Sequence, residues 1–228
     1  IDDVKVAEKP VLAPGVIYKE SFTDLPGPHS ADFTGYNGWW NGKSSETHRY
    51  FKKRMDTIVH KPHVEHMVWV NHTKMKSALA WLISPKIDLR NVNDPELSFN
   101  FGIGNHNSTN RFLKIKITDE FEGGAADPTQ SIWEDITDLT GIYNENIVTP
   151  YSEVQPESFH NVKVDLSDYK GQGIYICFEY HMPAKEDGTT YTTDAPVYYI
   201  DEVKVIDKKK SSLPGVKPDH FIKVLKDR

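Results

Sequence analysis

Apolar and polar residues alternate with a period of two along most of the chain. Val16, Tyr18, Glu20 and Phe22 share one parity, and Leu97, Phe99, Phe101 and Ile103 form a second such run. Leu113, Ile115 and Ile117 continue the pattern, followed by Val162, Val164 and Leu166, then Ile174, Ile176, Phe178 and Tyr180. Val197, Tyr199, Asp201, Val203 and Val205 close the set. Successive side chains on a strand point to opposite faces, so each run predicts a strand with one buried face. Turn signals separate the runs: Pro26-Gly27-Pro28, Asn37-Gly38, Asn41-Gly42, Asn93-Asp94-Pro95, Gly123-Gly124 and Lys170-Gly171. No stretch of about ten residues carries the 3.6-residue period of an amphipathic helix. The pattern predicts an all-β antiparallel sandwich in a single domain over residues 16–207. Residues 1–15 read as an N-terminal tether, and residues 208–228, opening on Lys208-Lys209-Lys210 and Pro214-Gly215, as a C-terminal linker and tail.

Composition narrows the function classes. A chain of 228 residues suits one large sandwich, and 38% hydrophobic with 26% charged residues is a folding composition. Lys and Arg number 27 against 33 Asp and Glu, a net charge of −6 without a basic block. That balance argues against nucleic acid and against anionic membrane as partners. No apolar run approaches the roughly 20 residues of a transmembrane segment. Cys177 is the single cysteine, so the chain can form neither an internal disulfide nor a multi-cysteine zinc site. It alternates between Ile176 and Phe178, which reads as a packed thiol rather than a nucleophile. The start at Ile1, without a basic or apolar leader, reads as a mature or trimmed chain.

Three segments resemble a known family. They are Ala80-Trp81-Leu82-Ile83-Ser84-Pro85-Lys86-Ile87-Asp88-Leu89 followed by Pro95-Glu96-Leu97-Ser98-Phe99; the stretches around Lys114–Thr118, Trp133–Ile136 and Val164–Gly171; and Tyr199-Ile200-Asp201-Glu202-Val203-Lys204-Val205. In this order they resemble the choice-of-anchor J and cleaved-adhesin type domains of secreted and surface proteins of Bacteroidetes. The resemblance implies a sandwich of jelly-roll type, non-catalytic, working in adhesion or glycan handling. It also implies a place at the cell surface, as an outer-membrane lipoprotein anchored upstream of this chain, or in a secreted protein.

Candidate chemistry falls into two groups. Glu20 and Asp201 share parity with apolar residues, which aims both carboxylates toward the core, where an isolated charge is costly. First and last strands of a jelly roll commonly neighbour one another, and related jelly rolls hold a structural Ca²⁺ there. Glu20 and Asp201 are therefore candidate calcium ligands, the other reading being rim acids hydrogen-bonded to backbone amides. The second group is aromatic. Tyr36-Asn37-Gly38-Trp39-Trp40-Asn41-Gly42 lies in a connection where not every ring can be buried, and one of Trp39 and Trp40 is expected to plug the sandwich. Tyr36, Trp40 and Trp69 are candidates for a glycan platform, with Asn37, Asn41 or Arg49 as polar partners, because sugar C–H faces stack on aromatic rings. Trp81 and Trp133 belong to the family segments and are assigned to packing. His60, His63, His66 and His72 crowd one region, but without a spacing that converges on zinc. The reading that follows is a module binding carbohydrate or acting as an adhesin. The alternative is a structural or protein-interaction module of an envelope assembly. A jelly-roll glycoside hydrolase or lyase ranks last, since no pair among the 33 acids is singled out.

Overall fold

A computed structural model describes residues 12–23, 35–43, 51–57, 64–70, 75–104, 110–123, 127–144, 159–191 and 196–211. The alternating segments form strands: β1 (Val16–Glu20), β2 (Trp40–Lys43), β3 (Lys52–Thr57), β4 (Val64–Val70), β5 (Ala78–Ile83) and β6 (Ile87–Asp88). They continue as β7 (Pro95–Gly104), β8 (Leu113–Thr118), β9 (Glu134–Asp135), β10 (His160–Asp165), β11 (Gly173–Met182) and β12 (Val197–Asp207). Among the described residues all pairings are antiparallel, and the strands divide into two sheets of six. The first has the order β10-β7-β12-β4-β3, with β1 also paired to β12. The second has the order β2-β5-β11-β8-β9, with β6 also paired to β11. Strands adjacent in sequence repeatedly fall in different sheets, and the fold is an antiparallel sandwich of jelly-roll type.

The predicted parities hold on both inner faces. Leu97, Phe99 and Phe101 of β7, with Val162 and Val164 of β10, face Leu113, Ile115 and Ile117 of β8 and Ile174, Ile176 and Phe178 of β11. Phe99 meets Phe178 edge to face across the sandwich, with ring centroids 5.3 Å apart. Each such buried side chain contributes about 1.5–3 kcal/mol of transfer free energy.

Parity breaks at Val16, where β1 shifts register against β12 and Ile17 rather than Val16 packs on the core, and again within β12. Asp201 of β12 pairs with Asn100, whereas Lys204 pairs with Ser98, so β12 carries one residue more than β7 over that step. The extra residue is a β-bulge, with Glu202 at a left-handed φ of 49°. Tyr198 and Ile200 before it and Val203 and Val205 after it all reach the main core. Tyr199 packs instead against Phe159 on the opposite face, with centroids 6.0 Å apart. Asp201 keeps the register of Tyr199, not that of Val203, and is half-buried rather than aimed between the sheets. Beyond the bulge, β1 docks on β12 with Glu20 opposite Val203, so the first and last strands are neighbours.

β12 ends on Asp207, whose side chain has no exposed area. Its carboxylate accepts from the backbone N–H groups of Asn93, Asp94 and Lys209, each at 3.2 Å, and Lys210 Nζ lies 3.8 Å away. Burial by itself would raise this carboxyl's pKa; the backbone donors and Lys210 outweigh it and hold the group below its usual range. A depressed folded-state pKa contributes stability above the unfolded value of about 4, and that contribution is lost as pH falls through the folded value. Asp207→Ala strands three backbone donors and is expected to cost about 2 kcal/mol in urea unfolding at pH 7. The gap between wild type and variant should narrow as the melts are repeated below about pH 4.

Candidate functional site

The segment Tyr36–Gly42 separates its two tryptophans. Gly35 and Gly38 adopt φ of 88° and 82°, and Asn37 adopts 47°, so the chain makes a tight left-handed turn before entering β2. Trp39 goes into the core, fully buried, with its ring 5.2 Å from Phe22 and 6.3 Å from Tyr18. Trp40, next along the chain, emerges on the outer face of the second sheet. Its indole lies back over Gly42, where a Cβ would come within 1.9 Å of the ring. Trp81 at 6.3 Å and Phe121 at 5.8 Å prop it from the side. It remains half-buried, a rigid ring with part of its surface in solvent.

That outer face is apolar well beyond Trp40. Trp81, Ile83 and Cys177 point outward from β5 and β11, and Phe121 folds down onto them from the connection after β8. Phe121 also packs against Trp133 at 5.9 Å and Tyr175 at 5.5 Å, and Trp133 Nε1 donates to the Pro128 carbonyl at 2.8 Å. Glu179 anchors the middle of the face. Its Oε2 accepts from Trp81 Nε1 at 3.1 Å, and its Oε1 lies 2.8 Å from Lys116 Nζ. Burial pushes the Cys177 thiol well up, and the Glu179 charge adds to that effect, so the thiol is inert. Trp81 and Trp133 thus pack as expected from the sequence, but on the outside of the sheet rather than between the sheets.

Beside this face runs a cleft of about 620 Å³ between β1 and β6, its wall including Ile17, Tyr18, Glu20, Asn37, Pro85 and Lys86. Gly38 seats against Pro85 at the rim, where a Cβ would stand 3.0 Å from the proline ring. Lys86 leaves the cleft across Gly173 and places Nζ 5.6 Å from the centroid of the Tyr175 ring. Lys86 therefore stands where the cleft meets the aromatic face.

Glu20 is 5% exposed, as its parity predicts. Oε1 accepts from the Phe22 N–H at 2.6 Å and Oε2 from Asn37 Nδ2 at 2.9 Å. Asp201 accepts from the Glu202 N–H at 2.8 Å. Calcium takes six to eight oxygen ligands. Among the described residues no group of three Asp, Glu, His or Cys side chains converges, and both Glu20 oxygens already receive protein donors. With these two donors Glu20 holds the Asn37 turn. The remaining candidates disperse. Tyr36 packs against the main core and Trp40 lies on the outer face of the second sheet, whereas Trp69 belongs to β4 in the first sheet, its side chain outside the described residues. Asn41 is buried and donates to the Phe51 carbonyl at 3.0 Å. Arg49, His60, His63 and His72 lie outside the described residues, as does the side chain of His66. Sequence reasoning passes over Phe121, Tyr175 and Lys86. Outward alternation of Tyr175, Cys177 and Glu179 is the only trace these residues leave in the pattern.

Two outcomes follow from this geometry. Gly42→Ala must displace the Trp40 indole, so it should alter tryptophan fluorescence and near-UV dichroism while the cooperative melt survives. Excess EDTA should leave the melting temperature of the wild type unchanged; a fall of several degrees would place a cation beside Glu20 or Asp201.

No protein-family model matches the sequence, and no curated protein matches it. Solved structures similar to the chain include two cleaved adhesin domains of Lys-gingipain from Porphyromonas gingivalis W83. The K1 domain is 14% identical over 82% of this chain and 96% of that one, at a TM-score of 0.46. The K3 domain is 11% identical over 85% and 99%, also at 0.46. TmCBM61, solved in complex with β-1,4-galactotriose, is 13% identical over 83% and 99%, at 0.41. At such identities and scores these likenesses carry nothing about what this chain binds.

Proposed function

We propose that the protein is a non-catalytic binding module that takes carbohydrate on the aromatic outer face of its second sheet, with Trp40 as the principal contact. The observation that carries this reading is the posture of Trp40. An indole packed over a glycine, braced by two further rings and left partly in solvent, has little conformational freedom to lose on binding. A sugar offers such a surface its apolar C–H face, while its hydroxyls stay in water or meet polar groups at the edge.

The carboxylates of the region support binding without turnover. Glu179 is tied to Lys116 and to the Trp81 indole, and Glu20 to the Phe22 N–H and Asn37. Both oxygens of each are thus engaged by protein donors, whereas a hydrolase needs a pair of carboxyl groups facing the glycosidic bond. The resemblance of the Ala80–Leu89 and Tyr199–Val205 segments to choice-of-anchor J domains supports the same reading and a place at the cell surface or outside the cell.

The test is a glycan array followed by calorimetry on wild type and variants. Trp40→Ala should weaken binding of the saccharide class selected by about thirtyfold, the effect of losing one hot-spot tryptophan, with a cooperative melt retained. Trp39→Ala, which empties the core, should cost about 3–5 kcal/mol of stability. An array without signal would instead favour a protein partner in an envelope assembly.

A further inference from the structure

We infer that the saccharide recognised by this face is anionic, and that Lys86 is the residue that selects it. The inference rests on the carbohydrate reading above and goes further by naming the ligand's charge. It comes from following each charge around the cleft to its partner.

Asp88 accepts from Arg90 Nε at 2.9 Å and from its second guanidinium nitrogen at 2.6 Å, one oxygen to each, so the pair is neutral as a unit. Lys19 is bridged to Glu202 at 2.8 Å. Glu20 is buried with both oxygens accepting hydrogen bonds, so it offers the cleft the oriented side chain of Asn37 rather than a bare charge. Lys86 differs from all of these. Its ammonium lies over the Tyr175 ring, and Asp88, two residues along the chain, is already taken by Arg90. The lysine stem is braced against Gly173, where a Cβ would come within 2.6 Å of Cε, which directs the head group toward the aromatic face.

An exposed lysine with no ion pair of its own among the described residues is ordinary on a protein surface. The position of this one is not. It stands between the partly exposed Tyr175 ring of the aromatic face and a cleft large enough for one or two sugar rings, so a saccharide crossing Tyr175 into the cleft passes its ammonium. A carboxylate or sulfate on that saccharide would meet a charge-assisted donor beside an apolar wall. The net charge of −6 does not oppose this, because charges beyond about 8 Å are screened at physiological salt.

The experiment measures affinity for two matched pairs of oligosaccharides. Oligogalacturonides are compared with their fully methyl-esterified form, and κ-carrageenan oligosaccharides with the same oligosaccharides after desulfation, which separates a carboxylate from a sulfate source. The acidic member of at least one pair should bind about tenfold more tightly or better, the worth of one hydrogen bond to a charged group. Lys86→Ala should abolish that gap and Lys86→Arg should retain it. Raising NaCl should weaken the acidic ligand for wild type and far less for Lys86→Ala. Equal affinity for both members of each pair, or a gap that survives Lys86→Ala, overturns the assignment of Lys86. If neutral saccharides bind and Trp40→Ala weakens them, the carbohydrate reading stands while the anionic one falls. If no saccharide binds, both fall together.

Discussion

The sandwich depends on one extra residue in β12. This strand is the centre of the first sheet, paired to β7 along one edge and to both β4 and β1 along the other. A strand of 11 residues with unbroken alternation would send either Tyr198 and Ile200 or Val203 and Val205 to solvent. The bulge at Asp201–Glu202 resets the alternation, so all four reach the core. It also divides the far edge of β12 in two: β4 pairs before it, and β1 pairs after it. The cost is a glutamate in left-handed backbone, a conformation that crowds a Cβ and that glycine adopts freely. Four core side chains, each contributing about 1.5–3 kcal/mol, outweigh that strain.

Placing β1 beyond the bulge has consequences at the surface. Glu20 at its end is drawn beneath the Tyr36–Gly38 turn, and its carboxylate holds both the Phe22 N–H and Asn37. Tyr18 beside it is half-buried against Trp39; burial pushes its hydroxyl pKa up, and the Glu20 charge pushes it further. The turn so fixed sends Trp39 inward and Trp40 outward. A core strand, a buried carboxylate and an exposed indole are thus linked through a few residues of chain.

The second sheet is apolar on both faces, for different reasons. Its inner face packs the core. Its outer face carries Trp81, Ile83 and Cys177, covered by Phe121 and Trp133 from the connection between β8 and β9. A sheet exposed on one side ordinarily alternates apolar with polar residues. Here Lys116 and Glu179 keep polar character only as an ion pair set among rings, with side chains 18% and 11% exposed. Trp40 and Tyr175 stay partly exposed on this covered face, Trp40 against Phe121 and Tyr175 beside Lys86, and it is there that an aromatic surface is offered to a ligand.

Much of this was legible in the chain. Period-two runs located the strands of both inner faces, since burial on one side of a pleated strand leaves an alternation that a single sequence displays. The same rule put Glu20 inside and Cys177 in a packed position. The even alternation from Tyr199 to Val205 misled, because a bulge is a backbone event that leaves the side-chain pattern looking regular; Asp201 was misplaced for that reason. Trp39 and Trp40 are chemically equivalent in sequence, and only the turn held by Gly35, Asn37 and Gly38 decides which is buried. Tyr36, Trp40 and Trp69 were grouped by composition, whereas rings are brought together by strand pairing. That pairing set Trp40 beside Trp81 and Phe121, and Phe121 beside Tyr175, from β2, β5, β11 and the connection after β8. The sequence by itself determined a two-sheet β fold and its core, because burial repeats at fixed spacing. The tertiary structure alone decided which aromatics and which lysine share a surface, because that depends on contacts between residues far apart in the chain.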